Sequence, residues 1–182
     1  MPRGAVPLRV ALVLAVLGLG ACAGSPGSGS APAVPEDPSP PADAFSATVQ
    51  RVVDGDTFIA RQTRGDGRAL RVRLIGIDAP ESVQPDAPVE CFGPEAATAL
   101  AALLPAGSTV SGAYQAGGPV DQFGRQLWDV WLDDGRFVQA ELVRQGAVEA
   151  RAYRPHTRHA DLLDRLEDAA RSDDSGLHGA CR

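Results

Sequence analysis

The stretch FSATVQRVVDGDTFIARQTRGDGRALRVRLIGI, residues 45–77, decides the fold. Phe45–Val53 alternates, with Phe45, Ala47 and Val49 set against Ser46, Thr48 and Gln50, the period-two signature of a strand with one buried face. Asp54-Gly55 is a turn signal, after which Thr57–Arg61 resumes as a second strand. Gly65-Asp66-Gly67 makes another turn, and Leu70–Ile77 follows as a third strand with Val72, Leu74 and Gly76 on one face.

Downstream, Pro94–Leu104 places Ala97, Leu100, Ala101 and Leu104 at helical spacing, with Pro94 in the first turn and Pro105 closing the helix. Ser108–Tyr114 and Gln126–Leu132 read as two more strands, the latter carrying Trp128 and Trp131. Phe137–Gln145 is a short helix ending at Gly146, and His159–Arg171 is a third. Five short strands and three helices with mostly local connections predict an α+β fold. A small Greek-key barrel suits them better than a doubly wound sheet.

Upstream, Arg3 and Arg9 precede an apolar run of 12 residues, Val10–Ala21. Spanning a bilayer takes about 20 such residues, whereas this length fits a secretory signal. The run ends in Leu19-Gly20-Ala21-Cys22, which resembles a bacterial lipoprotein signal. Residues 1–21 therefore read as the signal and Cys22 as a lipidation site, tethering the exported chain to the outer face of a membrane. The alternative is ordinary cleavage near Ala21 or Ala23, leaving Cys22 a thiol. Residues 22–44 read as a linker, because 18 of the 22 residues in 23–44 are Pro, Gly, Ser or Ala. Residues 45–182 are the expected folded domain, with monomer as the default state.

A hydrophobic fraction of 44% and a charged fraction of 22% are those of a soluble globular chain. All 17 basic residues are arginine, and the net charge is −6. From residue 45 onward 15 arginines meet 20 acidic residues, a net charge of −5. This excludes a wide basic surface that would hold nucleic acid through displaced counterions. A polyanion site here must be local, or must borrow positive charge from a metal ion. Outside the reducing cytoplasm Cys91 and Cys181 are most simply a disulfide, with two unpaired thiols as the alternative.

The residues with the sharpest chemistry are Asp54-Gly55-Asp56-Thr57 and Arg71–Glu81, RVRLIGIDAPE. Asp56 starts a strand just past a tight turn, and Asp78 ends a strand before Ala79-Pro80-Glu81. Two carboxylates at neighbouring strand ends, with an exposed carbonyl, offer hard oxygen ligands for Ca²⁺ or Mg²⁺. Arg73 lies five residues before Asp78, which on a straight strand puts the two on opposite faces. A bulge or bend near Gly76 is needed to join them. Arg125, in Asp121-Gln122-Phe123-Gly124-Arg125, is a candidate but could equally be a surface arginine. His156, His159 and His178 read as solvent-facing or capping, Trp128 and Trp131 as barrel packing, and the Asp133-Asp134 and Asp173-Asp174 pairs as turns and tail.

Asp-Gly-Asp-Thr, Arg-x-x-x-x-Asp-x-Pro-Glu, Phe92-Gly-Pro-Glu-Ala96, Asp-x-Phe-Gly-Arg and Leu142-Val143-Arg144-Gln145-Gly146 occur in that order. Together they resemble staphylococcal nuclease, the thermonuclease family, over about residues 45–180. The resemblance implies a five-stranded OB-fold barrel with three helices and a Ca²⁺-dependent nuclease acting on DNA and RNA. By position it implies Ca²⁺ on the carboxylates of Asp56 and Asp78 and the backbone carbonyl of Ala79, with Asp54 just outside. It also implies that Arg73 and Arg125 grip the scissile phosphate and that Glu81 is the general base.

Departures from the family pattern are equally specific. The lysine and tyrosine expected before Gly-Arg are Gln122 and Phe123, and one of two expected tyrosines, Tyr153, is evident near Arg151-Ala152-Tyr153. The catalytic set is complete while the accessory substrate contacts are thinned, so weaker, more salt-sensitive substrate binding is expected, with the chemistry retained. The competing readings are a non-catalytic, surface-tethered OB module that binds nucleic acid, and a structural surface lipoprotein. Retention of Asp56, Arg73, Asp78, Glu81 and Arg125 together favours the enzyme.

Overall fold

A computed structural model describes residues 36–82 and 88–181. The expected signal at 1–21, the expected lipidation site at Cys22 and most of the expected linker lie outside the described residues. Five strands close into a barrel in the order β1-β2-β3-β6-β5. β1 (Phe45–Val52) pairs antiparallel with β2 (Thr57–Gln62), Ala47 facing Gln62, with a bulge between Val49 and Arg51. β2 pairs with β3 (Leu70–Leu74), Thr57 facing Arg73. Closure comes from β5 (Thr109–Ala113) and β6 (Gln126–Leu132): β3 runs parallel to β6, β6 antiparallel to β5, and β5 antiparallel to β1.

The alternating pattern of β1 does what it predicts, since Ala47 and Val49 are fully buried. Trp128 sits inside the barrel, 4.8 Å from the Phe45 ring and edge-on to Phe58 at 6.2 Å. Trp131 leaves the barrel on the other side and packs 5.1 Å from Phe137, at the start of α2 (Val138–Arg144). Both tryptophans are therefore packing residues, as expected. α1 (Gly93–Leu103) buries Ala96 and Leu100, and α3 (Ala160–Ser172) buries Leu163, Leu166 and Ala170.

Three features differ from the sequence reading. The expected single strand Leu70–Ile77 is broken, with β3 ending at Leu74 and a two-residue β4 (Ile77–Asp78) pairing with β7 (Glu149–Ala150). Gly76 makes the break, with φ at +81°, a region only glycine enters freely. A one-turn helix, α4 (Leu177–Ala180), follows α3, and beyond it Cys181 is disulfide-bonded to Cys91.

The third difference concerns the linker, whose described end is not free. Asp37 pairs with Arg144 and accepts the Phe137 N–H at 3.3 Å, while Trp131 Nε1 donates to the Pro38 carbonyl at 2.6 Å. Proline-rich composition marked residues 37–44 as tether, but a carboxylate and an exposed carbonyl find partners on α2 and β6.

Candidate active site

The Asp54-Gly55-Asp56-Thr57 turn joins β1 to β2 and is folded tightly against its neighbours. A Cβ on Gly55 would sit 2.7 Å from the Cβ atoms of both Ala79 and Ala96, so only glycine lets this turn meet the Asp78-Ala79-Pro80 segment and α1. Asp54 Oδ1 accepts the Asp56 N–H at 3.2 Å, which turns the Asp56 side chain inward. There Asp56 Oδ1 accepts from the Thr57 hydroxyl at 2.9 Å, and Oδ2 accepts the Ala79 N–H at 2.9 Å.

Arg73 points into the same place. Its Nη1 donates to the Leu74 carbonyl at 2.8 Å and the Ile77 carbonyl at 2.7 Å, both exposed to it by the Gly76 break. Its Nη2 lies 3.0 Å from Asp56 Oδ2 and 2.8 Å from Asp78 Oδ1. The odd spacing of Arg73 and Asp78 is thus resolved by the bend that the sequence required at Gly76. Arg151 Nε approaches the other Asp78 oxygen, Oδ2, at 3.3 Å.

Burial pushes the Asp56 carboxyl up to about 6, against the pull of the Arg73 guanidinium and with a further push from Asp54. The protein's own cations therefore leave this buried carboxylate under-compensated. Such a site has the chemistry of a hard-cation site, with Asp56, Asp78 and a main-chain carbonyl as donors. Among the described residues no three His, Cys, Asp or Glu side chains cluster at metal-binding distances. A cation here would rest on two carboxylates, the Ala79 carbonyl and water.

Arg125 lines the same cavity of about 650 Å³ as these residues. Its Nε binds Asp121 Oδ2 at 2.7 Å, and its guanidinium lies 5.4 Å from the centre of the Phe123 ring. Asp121 Oδ1 also accepts the N–H groups of Phe123 and Arg125, both at 2.9 Å. Burial opposes the charge on Asp121, but these hydrogen bonds and the nearby guanidinium outweigh it and hold the carboxyl below its usual range. The turn therefore presents an oriented arginine beside an exposed aromatic ring, with Phe123 73% exposed.

One cavity is lined by Asp54, Asp56, Arg73, Asp78, Ala79 and Glu81 together with Gln122, Phe123, Arg125 and Tyr153. Every residue that the sequence singled out for metal or phosphate chemistry opens onto it. Glu81 follows Pro80 at its edge, its N–H donating to Glu90 Oε2 at 2.9 Å.

A profile for the family described as Staphylococcal nuclease homologue matches residues 71–179. The thermonuclease of Staphylococcus intermedius is 37% identical over 125 residues, covering 69% of this chain and 71% of that protein. The chain belongs to the staphylococcal nuclease family. The thermonuclease of Staphylococcus hyicus is 34% identical over 122 residues, covering 67% of this chain and 69% of the relative. Endonuclease YncB of Bacillus subtilis is 30% identical over 129 residues, covering 70% of this chain and 59% of the relative. The closed five-stranded barrel with its helices is the α+β OB-fold expected of the family.

The histidine reading needs correction. His156 is buried and lines the cavity, and the His159 ring packs 4.9 Å from Phe137 with Nε2 3.4 Å from Asp129 Oδ2. Asp129 itself went unnoticed in the sequence. It is fully buried on β6, takes both Gln115 Nε2 contacts at 2.9 and 3.1 Å, and has Arg158 Nη1 at 3.9 Å. Its only sequence signal was a charge inside the apolar run LWDVWL. Glu90 and Arg151 were missed as well, because nothing in their local pattern distinguishes them from solvated charges.

Proposed function

We propose that this chain is an exported, Ca²⁺-dependent nuclease that hydrolyses phosphodiester bonds in DNA and RNA, anchored to the membrane surface through lipidated Cys22. The observation that carries the catalytic reading is the single cavity onto which Asp56, Arg73, Asp78, Glu81 and Arg125 all open. Membership of a family whose members include thermonucleases and endonucleases supports nucleic acid as the substrate.

In this reading Asp56, Asp78 and the Ala79 carbonyl hold the cation, which supplies positive charge beside the phosphate and acidifies bound water. Arg73 is held by two carbonyls and two carboxylates, so its orientation is set before substrate arrives. Arg125 is oriented by Asp121. A phosphodiester placed between them gains charge on its non-bridging oxygens as water attacks. Two preorganised guanidiniums stabilise that charge more than they stabilise the ground state. Glu81 takes the proton of the attacking water, the P–O bond to the leaving sugar oxygen breaks, and that oxygen is protonated by solvent.

The test is cleavage of single-stranded DNA by the purified protein with Ca²⁺, with a chelator, and by Arg73→Ala and Glu81→Ala variants. Activity that needs Ca²⁺ and falls about a hundredfold or more in both variants supports the enzyme and its site. Metal binding without cleavage in a folded protein supports the binding module instead. For the anchor, Cys22→Ala should move the exported protein from the membrane fraction to the medium.

A further inference from the structure

The segment carrying Glu81 is held differently from the rest of the site. Asp56, Arg73 and Asp78 are fixed by the barrel and by the β4–β7 pair. The main chain of Glu81 is instead clasped by Glu90. Glu81 N–H donates to Glu90 Oε2 at 2.9 Å, and Glu90 N–H donates to the Glu81 carbonyl at 2.8 Å. Gly93 at the start of α1 lies so close that a Cβ there would sit 2.7 Å from the Glu81 carbonyl oxygen. Glu90 is exposed, so water competes for its side-chain bond and the clasp is weak unless its own backbone is fixed.

The Glu90 carbonyl accepts the Gly93 N–H at 3.1 Å, and its second anchor is covalent. Cys91, the next residue, is bonded to Cys181. Cys181 N–H donates to Leu177 at 2.9 Å, and Leu177 N–H donates to Gly146 at 2.9 Å. Ser175 is packed so tightly on Gly146 that a Cβ on that glycine would lie 2.2 Å from the Ser175 carbonyl. A strut therefore runs from the end of α2 through α4 and the disulfide to the residue that holds Glu81.

We infer that Glu90 is a positioning residue for Glu81 and that the Cys91–Cys181 bond keeps it in place, so that full turnover waits for the disulfide. This rests on the proposed role of Glu81 as base. Forming the bond breaks two S–H bonds and joins the sulfurs. Two electrons and two protons pass to a disulfide-bearing oxidant, which is reduced to its dithiol; dithiothreitol runs the step backwards. Oxidants of that kind act outside the cytoplasm. The enzyme then turns over slowly in the reducing compartment where it is made and reaches its full rate after export.

The test compares wild type with Glu81→Ala, Glu90→Ala, Glu90→Gln and the double variant Cys91→Ser/Cys181→Ser. It measures kcat and KM on single-stranded DNA, and Ca²⁺ affinity by calorimetry without substrate. Glu90→Ala and the double variant should each lose about tenfold or more in kcat, with KM and Ca²⁺ affinity within about twofold. Glu90→Gln keeps an acceptor oxygen and should recover most of the rate, and dithiothreitol on wild type should reproduce the cysteine variant. The inference is overturned if Glu81→Ala is inactive while Glu90→Ala, with its disulfide intact, turns over normally. It is also overturned if kcat and Ca²⁺ affinity fall while KM rises, since that is a general structural loss. A fully active Glu81→Ala would remove the assignment of the base, and this inference with it.

Discussion

Arg151 Nε lies 3.3 Å from Asp78 Oδ2, while Arg73 Nη2 holds Oδ1 of the same carboxylate at 2.8 Å. The two arginines are not equivalent. Arg73 is buried and pinned by carbonyls, whereas the Arg151 side chain is half exposed and can leave. A cation that binds Asp78 must compete with Arg151 for Oδ2. Arg151→Ala should therefore tighten Ca²⁺ binding by roughly two- to fivefold, the scale of one partly exposed ion pair. Calorimetry checks this, and an unchanged or weaker affinity would show that the pair does not compete with the ion.

Asp56→Asn should trade activity for stability. The native carboxyl titrates at about 6 because burial disfavours its charge, against 3.8 for the unfolded group. Between those values the folded state keeps a proton that the unfolded state has shed. Stability therefore falls as pH rises through that window and stays low above it. The asparagine variant lacks this loss. Without metal at pH 8 it should be more stable than wild type by about 1–3 kcal/mol, with the difference vanishing near pH 4. Saturating Ca²⁺ should stabilise wild type and leave the variant unmoved, read by urea denaturation with and without chelator.

Asp129→Ala tests the buried network that the sequence concealed. Gln115, His159 and Arg158 all turn toward this one carboxylate, and the Gln115 side-chain carbonyl in turn accepts the Arg158 N–H at 3.1 Å. Removing it leaves buried donors without their acceptor, at a cost of about 2–4 kcal/mol. The network ties β6 to the loop before α3, and Asp129, Gln115, Arg158 and His159 do not line the cavity onto which Glu81 opens. Denaturation should show the loss while kcat at low temperature stays near wild type.

What could be read in advance followed from local chemistry. Alternation in β1, the Asp-Gly turns and the first-turn proline of α1 are each satisfied within a few residues, and all appear where the sequence places them. The site was legible because its motifs are short and ordered, and even the bend at Gly76 was demanded by the Arg73–Asp78 spacing. Partners far apart in sequence were not legible. Asp37 reaches Arg144 and Asp129 reaches Gln115, pairings that composition had assigned to a tether and to an apolar strand. The His159 ring is buried by Phe137 and Trp131, aromatic neighbours that only the closed fold supplies.

Substrate affinity should be weak, but it should respond to salt with a shallow slope and not with the greater sensitivity expected from the thinned contacts, because the slope counts the phosphates held. With a net charge of −5 from residue 45 onward, there is no broad basic surface, and phosphate contact falls mainly to Arg73 and Arg125. Each neutralised phosphate of a single strand contributes about 0.7 to the slope of log affinity against log salt, so two arginines on one scissile phosphate predict a slope of only about 0.7. Gln122 lines the cavity next to Phe123 and stands where the family pattern has a lysine. Gln122→Lys should lower KM on single-stranded DNA, steepen the slope by about 0.7 and leave kcat nearly unchanged, because the added charge binds ground and transition states alike. Measuring KM from 50 to 200 mM salt, about a fourfold range over which binding responds strongly, separates the outcomes. A steep slope in the wild type would mean that arginines beyond this pair, such as Arg154 at the same cavity, hold the strand.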